Sequence, residues 1–122
     1  MRQFLAVTVM ALSFGAPAAL AQEPSQDFAK ADTALNAAYR EVENRLADDA
    51  DGKARLVAAQ RAWLTFRDAE CRFQSGAVEG GSAAPLAEAS CKAALTESRT
   101  EQLNAYLNCE EGDITCPVPP AQ

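Results

Sequence analysis

The sequence predicts an all-α protein, a small antiparallel three-helix bundle held by two disulfides. Three observations lead there. Apolar residues recur at steps of three and four along three separate stretches. Alanine is abundant, β-branched residues are scarce, and no alternating run marks a strand. Four cysteines, an even number, lie in a chain with the marks of export.

Those marks come first. Arg2 is the only charge before Glu23, and Phe4 to Leu20 is nearly all apolar, ending in Ala19-Leu20-Ala21. A positive start, an apolar middle and small residues at the cleavage site predict a signal peptide over residues 1–21. Pro17 and the shortness of the apolar run argue against a spanning helix, which needs about 20 apolar residues. Gln22 stands where a lipoprotein would carry its cysteine. The expected destination is the periplasm or the exterior, with no membrane anchor after cleavage. Removing residues 1–21, which carry Arg2, leaves 101 residues and takes the net charge from −6 to −7. An acidic surface disfavours nucleic acid and anionic lipid and favours a basic protein partner.

The first apolar stripe runs Phe28, Ala31, Leu35, Ala38, Val42, Leu46, and predicts a helix opened by Ser25 or Asp27. Asp48-Asp49-Ala50-Asp51-Gly52 should break it, with Asp49 or Asp51 capping the next helix. A second stripe reads Leu56, Ala59, Trp63, Phe66, then Phe73, and ends near Ser75-Gly76. Gly76 to Pro85 is the clearest loop, flexible by composition, with Gly80, Gly81 and Ser82 at its centre as the candidate contact with a protein partner. Pro85 suits the first turn of a third helix from Leu86 to about Leu107, with Cys91, Leu95, Leu103, Tyr106 and Leu107 facing inward. The helical domain is expected over residues 22–108. Residues 109–122 read as an irregular tail pinned by a disulfide, since Cys116-Pro-Val-Pro-Pro cannot be helical.

The cysteine spacings of 20, 18 and 7 do not suit a zinc site. Of three possible connectivities, neighbour pairing is expected: Cys71 with Cys91, and Cys109 with Cys116. The chain has no histidine. That removes the commonest general base and the His-dependent nucleophile systems. There is no phosphate-binding loop. Neither catalysis nor a cofactor is expected.

Several polar residues interrupt the apolar faces. Asp32 and Asn36 sit beside Leu35 and Tyr39; Gln60 and Arg67 share a face with Trp63 and Cys71; Arg99 falls between Leu95 and Leu103. A charge on an inward face must find a partner. An Asp32–Arg67 or Asp32–Arg99 bridge would hold the helices in register. The functional alternative is that these groups line a binding cleft.

Taken together, Asp32-x-x-Leu35-Asn36-x-x-Tyr39, then Gln60-Arg61-Ala62-Trp63-Leu64-x-Phe66-Arg67-Asp68-x-x-Cys71, then Gly80-Gly81-Ser82, Cys91 and Thr96-x-x-Arg99-x-x-x-Leu103 form a pattern. It resembles the lysozyme inhibitor LprI-like N-terminal domain family over roughly residues 27–107. The resemblance implies a small exported α-helical domain that binds and inhibits lysozyme, an enzyme class that is typically basic. Asp32, Asn36, Tyr39, Gln60, Trp63, Arg67, Asp68 and Arg99 are then its structural or binding motif. This chain departs from many relatives in lacking a cysteine pair ahead of the first long helix, in carrying Cys109 and Cys116 beyond the usual end, and in lacking the namesake's lipid anchor. The competing expectation is a non-inhibitory periplasmic module for protein binding or envelope assembly.

Overall fold

A computed structural model describes residues 23–121. The signal-peptide reading of residues 1–21 lies outside them. Three long helices follow in order, α1 (Pro24–Arg45), α2 (Ala50–Ser75) and α3 (Ala84–Leu107), and no strand occurs among the described residues. Two disulfides pair neighbours as expected, Cys71–Cys91 and Cys109–Cys116, with Cα atoms 5.5 and 5.9 Å apart.

α1 starts earlier than its polar residues indicated. Pro24 occupies the first turn, where its missing N–H costs nothing, and Glu23 precedes it without a side-chain cap. Its inner face is the one expected, with Ala31, Leu35, Ala38, Val42 and Leu46 all buried. The break to α2 is brief. Asp49 caps α2 by accepting from the Gly52 N–H at 2.8 Å. A Cβ on Gly52 would run into the Asp49 carboxylate, with Cγ at 2.7 Å, and would press on Leu46 at 3.0 Å. Glycine at 52 is therefore what lets the cap close.

The second helix corrects the apolar stripe read from the sequence. Leu56, Arg67, Cys71 and Ser75 are buried and Trp63 is half-buried. Ala59 is exposed, and Phe66 and Phe73 are exposed at 53% and 81%. The disulfide sets this orientation. With Cys71 fully buried against α3, roughly 100° per residue carries Phe66 and Phe73 about 140° and 160° away from it. α3 buries Ala93, Thr96, Arg99 and Leu103, keeps Cys91, Leu95, Tyr106 and Leu107 half-buried, and leaves Leu86 exposed.

α3 is the shared element. α1 packs along it most extensively, α2 packs on it less so, and α1 and α2 meet through side chains rather than closely spaced backbones. The core joins Leu35, Ala38, Val42 and Leu46 of α1 to Leu56 of α2 and Leu103 of α3. Val118 completes it at 6% exposure. The tail is irregular as read, yet it also supplies a core residue, held in place by Cys109–Cys116 and by a bond from Arg45 to the Pro119 carbonyl at 3.4 Å.

Candidate functional site

The polar motif does not form one site. It divides into two clusters, each around an arginine that is 8% exposed.

The first centres on Arg67 of α2. Its Nε lies 3.0 Å from the Asp68 carboxylate, and Nη1 stands 4.0 Å from Asp32 on α1. Nη1 also donates to Thr96 Oγ1 of α3 at 3.4 Å. The guanidinium carbon lies 5.1 Å from the Phe28 ring centroid and 5.3 Å from Trp63, within cation–π range. Arg67 thus ties all three helices together, and its pair with Asp32 is the ion pair that joins α1 to α2 among the described residues. Asn36 supports this cluster at the edge, its Nδ2 donating to Asp32 Oδ2 at 3.3 Å. Of the two expected bridges, Asp32–Arg67 is the one that forms.

The second centres on Arg99 of α3. Its Nε donates to Gln60 Oε1 of α2 at 3.1 Å, and Nη1 donates to Gln102 Oε1. No ion pair is formed by Arg99 among the described residues, so the Asp32–Arg99 alternative does not occur. The sequence reading missed Gln102, although its place one turn after Arg99 put it within reach. It missed Phe28 as a partner of Arg67 as well.

Tyr39 packs against the core beside these clusters. Burial lifts its hydroxyl above the ordinary pKa, Glu43 adds to the rise, and Arg61 opposes it. No group of three or more potential metal-ligating side chains occurs among the described residues.

The loop is structured rather than loose. A single 3-10 turn, Gly76–Val78, leads into further turns closed by Gly81 N–H to the Val78 carbonyl at 3.0 Å and Ala84 N–H to Gly81 at 3.3 Å. Gly80 takes φ +78°, which explains glycine there. Gly80, Gly81 and Ser82 are all exposed. Around this end lie Phe73, Val78 at 38% and Leu86 at 51%, and the Cys71–Cys91 bridge fixes the helices that carry them. No described helix is long and apolar enough to cross a membrane.

No solved structure matches the chain. It is 36% identical over 97 residues to an uncharacterized protein of Rhizobium meliloti (strain 1021), with 70% of each chain covered. The profile described as Lysozyme inhibitor LprI matches residues 15–103, a span holding α1, α2, the loop, both arginine clusters and most of α3. The chain belongs to the LprI lysozyme inhibitor family.

Proposed function

We propose that this protein is exported, binds a basic lysozyme and inhibits it. Membership of the LprI family is the observation that carries the reading. The net charge of −7 left after removal of residues 1–21 supports it, because opposite charge raises the encounter rate with a basic enzyme. The contact surface is the loop end. Phe73, Val78 and Leu86 are large apolar side chains left in water at the end of a disulfide-fixed helix pair. Exposed apolar groups with a polar surround fit a protein interface. Gly80, Gly81 and Ser82 lie between them in sequence and let the backbone approach a cleft closely. Burying Phe73 and Val78 in the lysozyme substrate cleft would exclude the glycan chain.

The test is clearing of a cell-wall suspension by lysozyme, with and without the mature protein. Inhibition should appear at low salt and weaken sharply towards physiological ionic strength. The double variant Phe73→Asp, Val78→Asp should keep its helical circular dichroism and lose inhibition by at least about tenfold, since hot-spot contacts each contribute about 2 kcal/mol or more. Undiminished clearing at large molar excess of wild type would overturn the inhibitor reading in favour of a non-inhibitory envelope-binding module. Full inhibition by the double variant would remove the loop end from the contact.

A further inference from the structure

We propose that a cavity at the opposite end of the bundle is a binding site for a carboxylate carried on a small apolar body. This cavity of ≈ 410 Å³ lies where the end of α1, the start of α2, the end of α3 and the tail meet. From Leu56 at the cavity to Phe73 at the loop end α2 advances 17 residues, about 26 Å. The two surfaces are therefore separate, and the proposal stands apart from lysozyme binding.

Arg99 borders the cavity. Its Nε and Nη1 are held by two neutral amides, and neither amide removes the charge. No carboxylate lies within ion-pair distance of it among the described residues. Nη2 has no hydrogen-bond partner there, yet no fully buried side-chain nitrogen or oxygen lacks one. Nη2 is therefore reached by solvent, in a residue whose surface is otherwise nearly all covered. A buried, uncompensated guanidinium is costly, and a counter-charge arriving from outside would relieve that cost.

The walls define what that counter-charge rides on. Leu46, Leu56, Tyr106 and Val118 supply apolar surface, Arg55 adds a second cation, and no acidic side chain lines the space. On a chain with 17 acidic against 11 basic residues, two arginines and no acid mark a local reversal of sign. The volume falls in the range of small-ligand sites, which are mostly apolar with a few placed polar groups. A guanidinium fork matches a planar carboxylate. The apolar walls disfavour a multiply charged, strongly hydrated anion such as inorganic phosphate. The carboxylate can belong to a free organic acid or to the end of a peptide chain.

Two probes separate those sources: hexanoate, and the tripeptide acetyl-Ala-Ala-Leu with a free C-terminus. Each is titrated beside its uncharged amide into the mature protein and followed by proton–nitrogen correlation spectra. The acids should shift the amides of Leu46, Leu56, Tyr106 and Val118 and saturate with Kd on the order of 1 mM. Their amides should not. Tighter binding of hexanoate identifies a free acid, and tighter binding of the tripeptide identifies a chain end. Arg99→Gln should weaken either by at least about tenfold. Should that variant fail to fold, Arg55→Glu, at an exposed position, should weaken binding several-fold. Equal binding of acids and amides, no saturable shift up to about 50 mM (roughly fifty times the expected Kd), or unchanged affinity in Arg55→Glu overturns the proposal.

Discussion

Two arginines buried to the same 8% exposure sit one turn apart along α3, where Arg67 bonds Thr96 and Arg99 follows three residues later, yet their surroundings are opposite. Arg67 lies beside two carboxylates, a threonine hydroxyl and two aromatic faces, with a disulfide one turn further on. Arg99, one turn nearer the tail, is bonded among the described residues to amides alone and borders an apolar cavity. Equal burial therefore does not mean equal role. A cation whose neighbours neutralise it is part of the scaffold. A cation held in place by dipoles alone keeps its charge available, and its geometry is fixed before anything arrives.

The strongest way to break this contrast is through the disulfides. Cys71–Cys91 closes a 20-residue separation and Cys109–Cys116 one of 7. In the chain-entropy account, replacing each pair by serine costs roughly 3 and roughly 2 kcal/mol. Urea unfolding should show that order. The loop-end loss should unsettle Arg67 and the exposed apolar residues, while the tail-end loss should release Val118 and open the cavity. A larger loss from the short tail bridge would mean that the tail, rather than the helix pair, holds the fold.

Next in size is the exchange of each arginine for methionine, which keeps length and removes charge. Arg67→Met gives up two cation–π contacts and the bonds to Asp68 and Thr96, for a loss of about 1–3 kcal/mol. Asp32 and Asp68 remain partly exposed and rehydrate, which keeps the loss from being larger. Arg99→Met relieves an uncompensated charge and leaves Gln60 and Gln102 able to reach water. Its effect should lie within about 0.5 kcal/mol of wild type, or stabilise by about 1 kcal/mol. Urea midpoints at constant slope decide this. An Arg99→Met loss matching that of Arg67→Met would erase the distinction between the two arginines.

The same pair shows what could be read in advance. Asp32 and Arg67 were legible because each interrupts an apolar stripe, and a buried charge narrows its own partners. The stripe of α1 was legible because one helix face carries almost all its large apolar residues. α2 was not, since Phe66 and Phe73 recur at helical spacing as Leu56 does but lie roughly 80–100° round the helix from it. Periodicity finds a face; it does not say which face meets the core when two are apolar. Here Cys71 decided it, through its bridge to Cys91 on α3. Val118 escaped because its contact with Leu46 and Leu103 spans long sequence distances and depends on a turn. The Gln60 and Gln102 amides escaped because neutral partners leave no charge pattern to follow. Of the candidate site, the arginines were visible and their unequal surroundings were not.

The smallest effect concerns the turn that presents Val118. Asp113 accepts from the Thr115 N–H at 2.8 Å and from its hydroxyl at 2.6 Å. These bonds, the hydroxyl first, hold the Asp113 carboxyl below its ordinary pKa. A depressed folded pKa means that the contribution is present above the unfolded value of 3.8 and is lost as pH falls through the lower folded value. Asp113 is fully exposed, so the change belongs to the local turn rather than to global stability. Thr115→Val keeps the backbone bond and removes the hydroxyl; the Asp113 pKa, followed by carboxyl chemical shift, should rise towards 3.8. Because Cys116 follows immediately, acidification below the wild-type folded value should perturb Thr115 and Val118 amides together while Arg67 and Phe28 stay still. If the loop end responded equally, the tail turn would be coupled through α3 to the Arg67 cluster, and the two ends would behave as one unit instead of two.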